Sequence, residues 1–192
     1  MKDIYKSQSW KKIDVVVRID LITVVEKIRI GGKLEIPLKY IRTGKECVPV
    51  DKKQRILILS CLKELKLKFK EIGNSLYVFW EQSNFDKLEN GEIKIGEFLG
   101  YPNCCSEAFY KRCEKFLKNK SPIGPAQIFW IKQKMAAKEG KYNDDLDFWL
   151  HIPCELNCKE TLAMVSKIRK VLEENDPEAA VFFQELHKKY RT

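Results

Sequence analysis

An α+β fold, dominated by helices and carrying a small antiparallel sheet, is what the 192-residue sequence predicts. Three observations support it. Residues 65 to 80 hold an alternating run, LKLKFKEI, then Gly73-Asn74-Ser75, then the aromatic and branched run LYVFW, which is a hairpin pattern. From residue 103 almost to the end, apolar residues recur at helical spacing, with Pro125, Pro153 and Pro177 where a first helical turn tolerates them. A hydrophobic fraction of 44% beside 33% charged residues describes a globular chain. Its length is enough to bury a core without covalent staples.

The elements follow in chain order. Ile13, Val17, Leu21, Val24 and Ile28 are spaced as one helical face, so a helix is expected over residues 10 to 30 despite a Val/Ile content that also suits a strand. Gly31-Gly32 is read as its terminator, and Pro37, Gly44 and Pro49 as marks of an irregular segment. A helix is predicted over 51 to 65, with Ile56, Leu59 and Leu62 on its apolar side, and a short one near 85 to 90 after the hairpin. Four further helices are expected at 103 to 119, 125 to 139, 157 to 174 and 177 to 190. Their core stripes are Ile128, Ile131 and Met135; Leu162, Val165, Ile168 and Leu172; and Phe182, Phe183 and Leu186. The whole chain, 1 to 192, is expected to be one domain, without internal repeats or an evident linker.

Composition bounds the function. No apolar run approaches the roughly 20 residues that cross a bilayer, and the start, MKDIYKSQSW, lacks the apolar core of a secretory signal, so a cytoplasmic protein with no membrane partner is expected. Seven cysteines in such a compartment point to metal or thiol chemistry rather than to a disulfide framework. The formal charge of +9 favours an anionic partner, RNA foremost, although a Lys- and Glu-rich thermophile surface gives the same excess. Oligomeric state is not legible. There is no Gly-rich phosphate loop, His-Glu-x-x-His, nucleophile elbow or paired-carboxylate pattern.

Two cysteine pairs carry the chemistry. Cys104-Cys105 follows Tyr101-Pro102-Asn103, with Asn103 expected to cap the helix; in His151-Ile-Pro-Cys154-Glu-Leu-Asn-Cys158, Asn157 and Glu160 resemble a capping box. Thiols at helix N-termini meet unpaired N–H groups and the positive end of the helix dipole, which favours thiolates. Four thiolates admit three readings, the iron–sulfur cluster foremost. An iron–sulfur cluster offers separate irons to neighbouring cysteines and would bring redox or sulfur-related chemistry to an anionic substrate. Structural Zn²⁺ would suit a non-catalytic nucleic-acid-binding or ribosome-associated module, although adjacent cysteines crowd a single tetrahedral ion. A metal-free thiol/disulfide redox protein is the third reading, with Cys113 as a resolving partner.

Other residues are candidates by position. His151 could ligate, donate a proton or hydrogen-bond a sulfur, and Tyr101 could cover the site or offer its hydroxyl to a substrate, so both are catalytic candidates. Lys111, Arg112, Lys115 and Lys118, with Lys120 beyond, form a basic stretch that would contact RNA or another anion. Phe129-Trp130 and Phe148-Trp149 could stack bases, although core packing is the commoner use of such pairs. Cys61 and Cys113 read as small buried hydrophobes, His187 as exposed, and Cys47 has no assigned role.

Phe98-Leu99-Gly100-Tyr101-Pro102, Cys104-Cys105, His151, Pro153, Cys154 and Cys158 resemble an uncharacterised, chiefly archaeal family, domain of unknown function 483. The resemblance covers about residues 51 to 175, leaving 1 to 50 as a variable N-terminal part and 176 to 192 as a C-terminal helix. It implies that these positions form the family's distinctive site and brings no established reaction with it.

Overall fold

The computed structural model describes residues 4–34, 40–43, 46–49, 52–73, 75–119, 124–142, 146 and 150–191, with the side chains of 40–43, 46–49, 125 and 189–191 left aside. Cys47, Lys120 and the pair Phe148-Trp149 therefore lie outside the described side chains. Two compact units divide the chain, Met1–Gly100 and Tyr101–Thr192.

In the first unit a 3-10 turn (Ile4–Lys6) leads into α1 (Gln8–Lys12) and α2 (Val15–Val25). The helix expected over 10 to 30 is thus broken, because Ile13 turns extended between α1 and the Asp14 cap of α2. Ser7 Oγ accepts from Trp10 N at 3.1 Å and Asp14 Oδ1 from Val16 N at 2.9 Å, so each helix has its own N-terminal signal. Branched residues do not make α2 a strand because it is buried nearly all round, Arg18, Ile19, Leu21, Ile22, Thr23, Val24 and Val25 included.

Gly31 and Gly32 do not simply stop this helix. They open β1 (Gly31–Leu34), which pairs antiparallel with β5, Gly31 facing Phe79 and Leu34 facing Leu76. A Cβ at Gly31 would stand 2.2 Å from Phe98 Cζ, so the missing side chain is what lets the Phe98 ring lie against the strand. The segment expected to be irregular contains a second antiparallel pair, β2 (Tyr40–Thr43) with β3 (Glu46–Pro49). Prolines and glycine hid it, since Pro49 can end an isolated two-stranded ribbon that needs no further partner.

Helix α3 (Lys52–Glu64) turns Ile58, Cys61 and Leu62 inward, while Ile56 is 65% exposed, so its apolar face lies one position round from the predicted one. The hairpin stands where the alternation placed it, β4 (Lys68–Ile72) against β5 (Ser75–Phe79), turning at Gly73 with φ +59°. The sheet order is β1-β5-β4, and β4 presents Lys68 and Lys70 along the edge, which discourages further pairing. Beside it, α4 (Gln82–Glu89) and α5 (Ile95–Phe98) supply Phe85 and Phe98; Phe79 stacks on Phe85 at 4.8 Å and Phe98 meets both rings edge-on.

The second unit is helical among its described residues: α6 (Asn103–Asn119), α7 (Pro125–Lys138), α8 (Lys159–Asn175) and α9 (Pro177–Arg191). The predicted helices stand within two residues of these bounds. Helix α8 packs on α9, α9 on α7 and α7 on α6. The α8 stripe is as expected, with Val165, Ile168 and Leu172 buried. On α7 the reading picks the outer face: Ile128, Ile131 and Met135 are exposed at 42%, 47% and 57%, while Phe129 and Gln133 are buried. That helix is apolar on both sides, so periodicity alone could not tell which side packs. On α9 Phe183 is buried and Phe182 is 37% exposed. Among the described residues no helix is long and apolar enough to cross a membrane.

Candidate metal centre

A tight turn closes the first unit just ahead of α6. Gly100 takes φ +68°, and a Cβ there would approach Arg29 Cα at 3.1 Å, so glycine alone suits the turn. Pro102, not Asn103, takes the N-cap place: its carbonyl accepts from Cys105 N at 2.9 Å and Ser106 N at 3.0 Å, leaving Asn103 already in the first turn and exposed. Side chains in a helix lean toward its N-terminus. At the open N-terminal end, neighbouring thiols can therefore converge ahead of the first turn, and Cys104 Sγ lies 3.8 Å from Cys105 Sγ. The crowding expected of adjacent cysteines is relieved by this position in the helix.

The second pair arrives on the loop that precedes α8. Cys158 is itself the N-cap of α8, one position later than the capping box predicted, and Asn157 lies in the preceding turn. Its Sγ is 3.7 Å from that of Cys104 and 3.6 Å from that of Cys105. Cys154 completes the group: the four sulfurs all lie within 4.8 Å of one another. Cys105 and Cys158 are buried, Cys154 is half-buried and Cys104 is exposed, so the cluster is closed on one side and faces solvent on the other.

Backbone and side chains fix this arrangement from outside. The Cys154 N–H donates to Cys105 Sγ at 3.3 Å. Arg112, two turns along α6, donates through Nη1 to the Pro153 carbonyl at 3.1 Å and through Nη2 to the Cys154 carbonyl. Arg112 was expected to meet an anion in solvent; it is half-buried and holds the cysteine loop, whereas Lys111, Lys115 and Lys118 are exposed on the same helix. Thr161, entirely buried, escaped the sequence reading. Its Oγ1 lies 3.2 Å from Cys105 Sγ and 3.0 Å from His151 Nε2, linking histidine to sulfur. The available signal was its place three residues after Cys158, on the same side of a helix start.

His151 is not one of the four converging groups. It is buried, is linked to Cys105 through Thr161, and stacks on Tyr101 with ring centroids 5.0 Å apart and planes inclined by 26°. Glu160 was valued only as a capping carboxylate, yet its Oε2 lies 3.6 Å from Cys158 Sγ and 3.9 Å from Cys104 Sγ. Cys113 is half-buried, and Cys61 is a core thiol of the first unit, pushed up to about 12 by burial and then by Glu64.

Helix starts were expected to favour four thiolates. Burial, then hydrogen bonds with Cys158 and Cys105, hold the Cys104 thiol far above its ordinary value, and burial with the same neighbours pushes Cys154 up to about 11. Cys158 is lowered instead: burial opposes its ionisation, but the side chain and backbone of Thr161 and the thiols of Cys154 and Cys105 outweigh it. A thiolate at Cys158 disfavours further ionisation at Cys104 and Cys154, because each added negative charge meets the first at contact distance. A cation between the sulfurs reverses that balance, and the donor set, soft sulfur throughout, suits a thiophilic metal.

An α+β protein with a four-cysteine centre able to hold a metal ion is thus what the fold and the site define. The family model described as "Protein of unknown function (DUF483)" matches residues 80–183, and the chain belongs to that family. All four cysteines, Tyr101, Arg112, His151 and Thr161 fall inside the matched region. No curated protein and no solved structure matches the chain.

Proposed function

We propose that the second unit is a zinc-stabilised binding module, in which Cys104, Cys105, Cys154 and Cys158 hold one tetrahedral Zn²⁺. The observation that carries this reading is the triangle of Cys104, Cys105 and Cys158 sulfurs, with edges of 3.8, 3.7 and 3.6 Å. A Zn–S bond of about 2.3 Å gives a tetrahedron an edge of about 3.8 Å, so three sulfurs already mark one face. In an iron–sulfur cluster the cysteines bind different irons, or at most two share one, which spreads three thiolates more widely. The single ion is therefore favoured over the cluster.

A closed shell of four thiolates leaves no position for water or substrate, so the ion's role here is to fasten the 151–158 loop to the start of α6. The partner we infer is anionic, nucleic acid first. Lys111, Lys115 and Lys118 follow one another at helical spacing along one exposed face, within a chain of net charge +9. Metal analysis after anaerobic purification tests the centre. One zinc per chain and a colourless protein are expected; iron with inorganic sulfide and a brown colour would replace this reading by the cluster.

A further inference from the structure

Beside the cysteine centre, in the same unit, a cavity of ≈ 240 Å³ is lined by Arg112, Ile128, Phe129, Lys132, Cys154, Glu155 and Leu156. It is smaller than the roughly 300–1,000 Å³ of drug-sized sites, which limits an occupant to about a dozen heavy atoms. The lining is not that of a gap in packing. Three apolar side chains share it with two cations and one carboxylate, and Lys132 and Glu155 are both exposed to an entering solute.

We propose that this cavity binds a free α-amino acid with an apolar side chain. Lys132 and the donors of Arg112 not spent on Pro153 and Cys154 receive the α-carboxylate, Arg112 retaining N–H groups because a guanidinium carries five. Glu155 receives the α-ammonium, and Ile128, Phe129 and Leu156 surround the side chain. A phosphate dianion matches this lining less well, since Glu155 opposes a second negative charge. A simple amine meets two cations, and a simple carboxylate leaves Glu155 without a counter-charge. Only a zwitterion satisfies all three charged groups at once, and a peptide-bonded residue has lost one or both of the charges required. The proposal does not depend on which ion the cysteines hold.

Isothermal titration of the full-length, metal-loaded chain with L-leucine and L-phenylalanine, against isocaproate, isoamylamine and inorganic phosphate, tests the pocket. Saturable one-to-one binding of an amino acid is expected, with each single-charge analogue about tenfold weaker or worse. Lys132→Met should weaken leucine about tenfold, and Glu155→Gln should weaken leucine while leaving isocaproate unchanged. Both positions are exposed, so neither variant threatens the fold. No saturable amino-acid binding, isocaproate or phosphate equal to leucine, or an unaffected Lys132→Met variant would each overturn the assignment. Metal content measured on the same samples separates the two readings: zinc-loaded protein that ignores leucine removes the pocket alone, and leucine binding in protein that takes up no metal removes the zinc centre alone.

Discussion

Cys105 and Cys158, 53 positions apart in sequence, bring their sulfurs to 3.6 Å, both out of contact with solvent. Each belongs to the first turn or cap of a helix. The two helices, α6 and α8, are thereby joined at their N-termini, and the remaining pair of sulfurs differs from this one in exposure. Exposure grades what each cysteine contributes.

Cys105→Ser and Cys158→Ser should abolish stoichiometric metal binding, because both replace a buried ligand around which the rest of the group is arranged. Cys104→Ser, at the solvent side, should retain metal with weakened affinity, water or Glu160 filling in. Competition titration with a chromophoric chelator ranks the three. Equal losses would show that the sulfurs do not form one graded shell.

Thr161→Val keeps the shape of a fully buried side chain and removes its hydroxyl from both Cys105 and His151. Outer-sphere partners of this kind change metal affinity by about 10–100-fold, which is the loss expected here. Thr161→Ser should restore most of it. Unchanged affinity in Thr161→Val would make the hydroxyl a structural group only.

Cys61 gives the first unit a pH dependence. Its thiol is raised in the folded chain to about 12 from the ordinary 9.0, chiefly by burial, so the folded state disfavours the thiolate that the unfolded chain forms freely. Stability from this group is full below about pH 9 and is lost as pH rises from there toward 12. Tyr5, raised by burial and by its bond to Glu26, adds to the same alkaline loss. Urea midpoints measured from pH 8 upward should fall, and in Cys61→Ala, less stable throughout, the fall should be shallower. A parallel curve would refute the assignment.

Gly31→Ala should cost about 1–3 kcal/mol, because the added methyl collides with the Phe98 ring and one of the two must move. Gly73→Ala supplies the contrast: its turn has open space but φ +59°, so only backbone strain is felt there. Chemical denaturation of the two variants compares a packing clash with a conformational one.

Replacing Lys111, Lys115 and Lys118 by Gln should weaken single-stranded RNA binding across sequences and reduce the slope of log affinity against log salt by about two, at roughly 0.7 per phosphate contact. Arg112→Lys should behave differently, loosening metal retention, because lysine cannot hold two loop carbonyls as a planar fork does. Filter binding across a salt series, with zinc measured in parallel, distinguishes these outcomes.

Residue type and spacing were enough to show the hairpin at Gly73, the four helices after residue 103 and the two cysteine pairs, since turn chemistry, proline positions and thiol patterns are local properties. Which face of α7 packs, why Gly31 is glycine, and that Arg112 holds two carbonyls of the cysteine loop were not local. Ile128 and Phe129 are neighbours of similar hydrophobicity, and only the helices around them decide which is buried. Nor could spacing tell that Cys104 and Cys105 share one centre comfortably, because that depends on where the helix starts. The sequence by itself determined that two cysteine pairs stand at or just before helix beginnings. Tertiary structure alone decided that they meet within 4.8 Å, with Thr161 behind them, because convergence across 50 residues is a property of packed helices and not of any stretch of chain.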